Sequence, residues 1–238
     1  MLPVMRLDKF VCKSTELTRK EAIQCIHSGD VFVNGEVATN EETQVHENNT
    51  VLLNGAKLKA RDFRYILMNK PAGTVCSNID EVYPSLFNYL EVDKVSELHI
   101  AGRLDADTTG LVLITDDGRW SFNITLPSND CRKVYRVQLF RAISPELANE
   151  LIGQFEKGLQ LQGEQGLTRP AKLDIITSKE VLLTITEGKF HQVKRMFAAV
   201  GNRVVDLHRE QIGEVCLDLD LGQWRYLSKN EVESFNNN

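Results

Sequence analysis

The sequence has little of what several functional classes require. Its five cysteines are an odd number and no two have Cys-x-x-Cys spacing, which argues against a disulfide framework and against a zinc site. No apolar run approaches the roughly 20 residues of a membrane helix. The first ten residues lack the apolar core of a signal peptide. We therefore expect a cytoplasmic protein without membrane association.

Motifs for several kinds of catalysis are also missing. The chain contains no Gly-Lys-Ser/Thr phosphate loop, no Gly-x-Gly-x-x-Gly after a strand, no His-Glu-x-x-His and no Gly-x-Ser-x-Gly. The five histidines show no metal-ligand spacing, so we predict no metal site. The net charge of −5 does not favour nucleic acid as a partner, but a locally basic face can still bind RNA.

What is present indicates two globular domains. The chain has 238 residues, of which 42% are hydrophobic and 26% charged, a composition typical of folded proteins. The polar segment "KLKARDFR" separates two regions of different pattern. We predict one domain over residues 1–59, a linker over 60–64 and a second domain over 65–238.

The first domain has clear local signals. Thr18 followed by Glu21 is a capping box at the start of a helix. Asn34-Gly35 and Asn54-Gly55 each join two short β-prone runs, which is the pattern of a two-residue hairpin turn. We expect two helices followed by small hairpins.

Basic residues concentrate in the helical part of this domain. On charge alone a solvated helix surface is the favoured interpretation and a phosphate-binding face is the alternative. The segment "RLDKF…LTRKEAIQCIHSGDVFVNGEV", however, resembles the S4 RNA-binding domain. The resemblance implies that the basic helices contact RNA phosphates, through Arg6, Lys9, Arg19 and Lys20.

The second domain mixes strands and helices. "GLVLIT" indicates a buried strand, and "KVYRVQLF" alternates with Tyr135, Val137 and Leu139 on one face. "AKLDIITSKEVLLTITEG" reads as two strands around a tight turn, and Asp116-Asp117-Gly118 as a turn after a strand. We predict an α+β fold with a mixed, largely antiparallel sheet.

Two helices are expected within this domain. Ser144, Pro145 and Gly158 occupy boundary positions of "SPELANELIGQFEKG". "HQVKRMFAAVG" has apolar residues at helical spacing and ends at Gly201.

One stretch has the residues for chemistry. "AGRLDADTTG" sets Arg103, Asp105 and Asp107 before a turn. A local salt bridge and a catalytic carboxylate are both compatible with this pattern. A carboxylate that attacks a substrate needs a cation to stay ionised in a closed site, and Lys194, at the border of a helix face, is the candidate. We expect Arg195 to face phosphate, and Arg203 and Arg209 to lie on a solvated surface.

Several motifs then occur in one order. "HIAGRLDADTTGLVLITDDG", "CRKVYRV" and "EGKFHQVKRMFAAVGNRVVDLHRE", with "NKPAG" before them, resemble the motifs of the RsuA branch of the RNA pseudouridine synthases. The resemblance implies that Asp105 is the catalytic carboxylate and that Lys194 pairs with it. It also implies that Arg103 fills the space left by a flipped base, that Tyr135 stacks on uracil and that Leu227 packs beneath it. Asp107 and Thr109 would shape the turn.

The resemblance also implies the reaction and the partners. A uridine in 16S ribosomal RNA, within an assembling ribonucleoprotein, would be isomerised by a monomeric enzyme. Because isomerisation involves no redox change and no phosphoryl transfer, no cofactor is expected.

Other interpretations stay open at this stage. They are a synthase of the same family acting on 23S ribosomal RNA, a non-catalytic S4-type RNA-binding protein, a glycoside hydrolase using Asp105 and Asp107, and a magnesium site.

Overall fold

The structure is a computed structural model that describes residues 4–46 and 48–236. The chain divides into two compact units, one ending at Phe63 and the other beginning at Arg64. Within the described residues, no helix combines the length and the apolar character that crossing a membrane requires.

The first unit contains two helices and six short strands among its described residues. Its helices are α1 (Leu7–Ser14) and α2 (Arg19–His27). Its strands are β1 (Met5–Arg6), β2 (Val31–Val33), β3 (Glu36–Val37), β4 (Gln44–Val45), β5 (Val51–Leu53) and β6 (Ala56–Lys57). Strand β1 pairs with β4, and the others form a four-stranded antiparallel sheet in the order β3-β2-β5-β6.

Local sequence signals build this unit as expected. Thr18 and Glu21 form the capping box of α2. Asn34 and Asn54 adopt positive φ at the two hairpin turns, as such turns require. The core joins the helices to the sheet through Leu7, Val11, Ala22, Ile26, Val31 and Val51.

The second unit is built on one mixed sheet. Its strands are β7 (Tyr65–Lys70), β8 (His99–Ala101), β9 (Thr109–Thr115), β10 (Lys133–Leu139), β11 (Lys172–Ile175), β12 (Glu180–Ile185), β13 (Val204–Ile212), β14 (Val215–Cys216) and β15 (Trp224–Tyr226). Its helices are α3 (Gly118–Thr125), α4 (Pro145–Lys157), α5 (Gln192–Ala199) and α6 (Lys229–Glu233).

The sheet order brings distant segments of the chain together. The main path is β11-β12-β10-β13-β9-β7-β15, with β14 paired to β13 and β8 paired to β9. All these pairings are antiparallel except that of β13 with β9, which is parallel. The predicted α+β fold with a mixed, largely antiparallel sheet is confirmed.

Strand β9 is buried on both faces, which explains its uninterrupted apolar sequence. Val112 and Ile114 point into the larger core cluster. Leu111 and Leu113 point into a second cluster on the other face, around Trp120. Since successive side chains of a strand alternate between faces, a strand covered on both sides needs apolar residues at every position.

Gly110 permits the one parallel pairing of the sheet. Its φ is +109°, and a Cβ at this position would collide with the backbone of Arg209 on β13. Only glycine combines this backbone conformation with so close an approach. The "TTG" of the sequence therefore fixes where β9 meets β13.

Of the four helices of this unit in the described residues, α4 and α5 were predicted from the sequence, whereas α3 and α6 were not. Helix α4 lies between Ser144 and Gly158, as predicted, and α5 occupies the predicted segment. The stretch Asp116-Asp117-Gly118, expected to be a simple turn, instead starts α3. Asp117 caps this helix by accepting hydrogen bonds from the backbone N–H groups of Arg119 and Trp120, which satisfies two of the four free donors at a helix start.

Candidate active site

A cavity of about 680 Å³ lies on the face of the second unit's sheet that holds the larger core cluster. The loop between β8 and β9 forms one wall, and the residues before and within α5 form another. Chemistry-bearing side chains from separate parts of the sequence line it: Arg103, Asp105, Lys133, Tyr135, His191, Lys194 and Arg209.

Asp105 and Lys194 meet in this cavity. The Lys194 Nζ donates a hydrogen bond to Asp105 Oδ2 across 2.9 Å. The same Nζ lies 2.6 Å from Asp107 Oδ1. The predicted cation for Asp105 is therefore in place, but it is shared with Asp107, a second carboxylate for which the family resemblance implied only a role in shaping the turn.

The shared hydrogen bonds stabilise the charged forms of Lys194 and Asp107. Burial by itself lowers the pKa of Lys194, but the hydrogen bonds to Asp107 and Asp105 outweigh it and raise the pKa above its ordinary value. Partial burial raises the pKa of Asp107, but the hydrogen bond and the charge of Lys194, together with further hydrogen bonds, outweigh this and lower the pKa overall. The ammonium of Lys194 therefore lies between the side chains of Asp105 and Asp107.

A buried lysine supports the loop that carries Asp105. The Lys70 Nζ donates to the carbonyl oxygens of Thr108 at 2.9 Å and Ala106 at 3.3 Å, and its side chain is fully buried. Burial lowers its pKa. Nearer the start of the loop, the backbone N–H of Leu104 donates to Cys76 Sγ. Lys70, noted in the sequence only as part of "NKPAG", is therefore a structural support of the site.

Tyr135 lies in the cavity wall, where the sequence placed it. It is buried on β10, and its hydroxyl accepts a hydrogen bond from Arg209 Nη1 at 3.2 Å. Because arginine only donates, the hydroxyl hydrogen of Tyr135 remains available to a ligand in the cavity.

The expectation that Arg209 lies on a solvated surface is wrong. Its side chain is 1% exposed, and it also donates to the carbonyl oxygens of Leu111 at 2.7 Å and Gly102 at 2.6 Å. The sequence did contain a sign that Arg209 is buried. Leu207 and Arg209 are two positions apart on β13, and side chains at alternate positions of a strand lie on the same face. A guanidinium can be buried there because carbonyl groups satisfy its donors.

Of the two predicted substrate contacts Arg103 and Leu227, only Arg103 lies at the cavity. Arg103 is exposed and lines the cavity, next to the carbonyl of Gly102 that Arg209 holds. Leu227 does not line the cavity; it packs against the cluster around Trp120. The reason is the alternation of side chains along the strand. Trp224 on β15 contacts the larger core, and Leu227, three positions later, therefore faces the opposite side. Apolar lining comes instead from Ile185, Val193 and Leu207.

Arg195, expected to face phosphate, makes contacts within the protein. Its Nη1 donates to Glu164 Oε1 at 3.0 Å, and its Nη2 donates to the Gln162 carbonyl at 2.7 Å. Lys189 also pairs with Glu164, at 3.0 Å. Two cations therefore share one carboxylate beside the cavity.

In the first unit a buried carboxylate organises the predicted RNA-binding arginines. Asp8 is fully buried and accepts hydrogen bonds from Arg6 at 3.1 Å and Arg19 at 3.0 Å. Burial raises the pKa of Asp8, but the hydrogen bond from Arg6 and further ones outweigh it and lower the pKa. Lys9 and Lys20 are exposed. The two arginines are thus held at fixed positions while the two lysines project into solvent.

No set of three or more His, Cys, Asp or Glu side chains in the described ranges is placed to hold a metal ion. The carboxylates of Asp105 and Asp107 are instead joined by Lys194.

Both units of the chain match known protein families. Residues 64–199 match the model of the RNA pseudouridylate synthase family, and residues 5–51 match that of the S4 domain. A solved structure described as a pseudouridylate synthase superposes with a TM-score of 0.70 at 42% identity, covering 97% of this chain and 99% of that one. The chain belongs to the RNA pseudouridylate synthase family.

Its similarity within the family extends over nearly the whole chain. It is 48% identical to the ribosomal small subunit pseudouridine synthase A of Vibrio cholerae and 46% identical to that of Escherichia coli K12. In both cases the match covers 97% of this chain and 99% of the relative.

Proposed function

We propose that this pseudouridine synthase isomerises one uridine of small-subunit (16S) ribosomal RNA, acting as a cytoplasmic monomer on an assembling ribonucleoprotein. The substrate follows from the names of the full-length relatives and from the match to the S4 domain. The observation that carries the activity is the contact between Asp105 and Lys194 inside the cavity.

The reaction rearranges the nucleotide without a net change in its atoms. The C1′–N1 bond breaks, the uracil turns, and a C1′–C5 bond forms. The hydrogen on C5 leaves as a proton and N1 takes one up. Asp105 is the carboxylate that acts on the target nucleotide, and Lys194 places a positive charge 2.9 Å from it. No electron acceptor and no phosphoryl donor enters this balance, so the proposal requires no cofactor.

The target base has to leave its stack before it can enter the cavity. Flipping a nucleotide costs a few kcal/mol. Arg103, exposed at the cavity, is suited to occupy the vacated space, and Tyr135 offers its ring to the incoming uracil. Both contacts offset part of the cost of flipping.

The first unit supplies a second contact with RNA. We assign it to residues 1–59, joined through 60–64 to the catalytic domain at 65–238. Arg6, Lys9, Arg19 and Lys20 provide the positive charge. Two linked binding modules raise each other's effective concentration on the same RNA, so this unit increases affinity without taking part in the chemistry. Arg195 can contact an RNA phosphate only if the phosphate takes the place of the Glu164 carboxylate as its partner.

Pseudouridine mapping tests the substrate. Small-subunit ribosomal RNA free of modification, with its early-assembling proteins, is treated with the enzyme, labelled with carbodiimide and read by primer extension. We expect one new stop with the wild type and none with Asp105→Asn. Large-subunit RNA is treated in parallel.

The outcomes separate the alternatives. A stop found only in large-subunit RNA overturns the proposed substrate, but the assignment as a pseudouridine synthase stands. No stop in either RNA, with binding retained, identifies a non-catalytic S4-type binder.

A further inference from the structure

Phe190 exposes a large aromatic surface at the edge of the cavity. Its side chain lies in the segment between β12 and α5, is 76% exposed and lines the cavity with Asp105 and Lys194. Single exposed apolar side chains are common and need no explanation. The position beside the reacting carboxylate is what makes this one informative.

The Phe190 ring is not a loosely placed side chain. It stacks on the His191 ring, with centroids 3.8 Å apart and planes at 23°. His191 has φ of +47°, in the left-handed region that residues other than glycine adopt at a cost. The His191 ring also contacts the active site, since its Nε2 lies 3.5 Å from Asp105 Oδ1.

Hydrogen bonds fix the backbone on both sides of Phe190. The Lys189 N–H donates to the Gln192 side chain at 2.8 Å, and Arg195 Nη1 donates to the Phe190 carbonyl at 3.0 Å. The backbone that carries the aromatic ring is therefore held in place before any ligand binds, which reduces the entropy that binding costs.

The surroundings favour RNA as the occupant of this face. Lys189 precedes Phe190 in the chain, Arg195 donates to the Phe190 carbonyl, and these two cations share the single carboxylate of Glu164. Nucleic-acid sites combine cations for phosphates with aromatic faces for bases. A nucleotide next to one that has entered the cavity has to lie at the edge of the cavity, where Phe190 is.

We propose that Phe190, supported by His191, is a stacking platform for the base of a nucleotide that neighbours the flipped uridine. This inference rests on the proposed function and extends it to a second base of the substrate. The platform binds a base by its face, so it tolerates different bases.

Kinetics with three substitutions at Phe190 test the platform. The substrate is a small-subunit ribosomal RNA transcript with tritium at uridine C5, and the release of tritium measures turnover. Loss of one base–aromatic stack is expected to raise KM about tenfold, with kcat little changed. We expect this for Phe190→Ala and for Phe190→Leu, which keeps apolar surface without an aromatic face. Phe190→Tyr should retain the wild-type KM.

The control is Phe122→Ala, which removes a phenylalanine that is 57% exposed on α3 and should change neither constant. Thermal unfolding should be the same for all variants. An unchanged KM for Phe190→Ala, or a wild-type KM for Phe190→Leu, overturns the platform.

A binding measurement keeps this result separate from the proposed activity. The probe is an RNA nonamer of uridines with one 2-aminopurine beside the central uridine, mixed with saturating protein. We expect quenching of its fluorescence with the wild type and with Phe122→Ala, and loss of quenching with Phe190→Ala. If the wild type releases no tritium but this pattern holds, the proposed reaction fails and the platform stands. Equal quenching by all proteins overturns the platform.

Discussion

Arg209 donates a hydrogen bond to the hydroxyl of Tyr135 across 3.2 Å, from within the core of the second unit. The same guanidinium holds the carbonyl of Gly102, immediately before Arg103. One buried side chain thus positions both the proposed stacking ring and the loop that leads to Asp105.

Arg209→Lys is expected to reduce kcat/KM by about ten- to a hundredfold. A lysine keeps the charge, but it cannot present the planar fork that reaches three acceptors at once. If Arg209 acts partly through the Tyr135 hydroxyl, its substitution should cost less in a Tyr135→Phe background than in the wild type. Steady-state kinetics of the two single variants and the double variant give this coupling. Strict additivity of the two effects contradicts a positioning role through Tyr135.

Lys194→Met is expected to lower kcat about a hundredfold, the scale of losing one charge-stabilising group in a closed site. Lys194→Arg keeps a cation and should lose much less. The raised pKa of Lys194 keeps its interaction with the carboxylates complete below its ordinary pKa, and the interaction is lost only as the pH rises through the higher folded value. Activity should therefore not fall on this account between neutral pH and pH of about 10. Single-turnover rates across this range provide the measurement.

Asp107→Asn is the matched control for Lys194→Met, because it removes the second carboxylate that contacts Lys194. The side chain of Asp107 is 73% exposed, and an exposed ion pair contributes at most about 1 kcal/mol. We expect a change in kcat within about fivefold, since Lys194 keeps Asp105 as its partner. A loss as large as that of Lys194→Met would mean that both carboxylates take part in the reaction.

Glu231 provides a pH-dependent contribution to the stability of the second unit. The hydrogen bonds from Arg225 lower its pKa from 4.5 to about 2, and Glu231 also closes the capping box of α6. Because its folded pKa is depressed, its contribution is present above pH 4.5 and is lost as the pH falls through about 2.

Glu231→Gln should therefore lower the free energy of unfolding at neutral pH, and the difference from the wild type should shrink as the pH approaches 2. Urea unfolding at several pH values measures this. Glu233→Gln, at an exposed position of the same helix, is the control. A difference between wild type and Glu231→Gln that is constant with pH contradicts the assignment.

The sequence predicted the elements whose signals are local. The capping box of Thr18 and Glu21 and the boundaries at Ser144 and Gly158 lie within a few residues of the helices that they define. Helix α3 was missed altogether, although Asp117 was there to cap it, because Asp and Gly are also residues that turns favour.

The parts of the site that the sequence did not predict depend on contacts between distant residues. The acceptors of Arg209 at Leu111 and Gly102 lie 98 and 107 positions away, and Asp107 lies 87 positions from Lys194. Only the sheet order brings them together. The wrong expectation for Leu227 has the same origin, because the face on which it lies follows from the register of β15.

The most direct test of the account is the rate of C5 tritium release in a single turnover by Asp105→Asn. The variant replaces one carboxylate oxygen with an amide and should preserve the fold, to be verified by thermal unfolding. We expect a loss of at least about a thousandfold in rate, the scale seen when a residue essential to the chemistry is removed, while RNA binding is retained. Tritium release at a rate close to that of the wild type would contradict the assignment of Asp105 as the catalytic carboxylate.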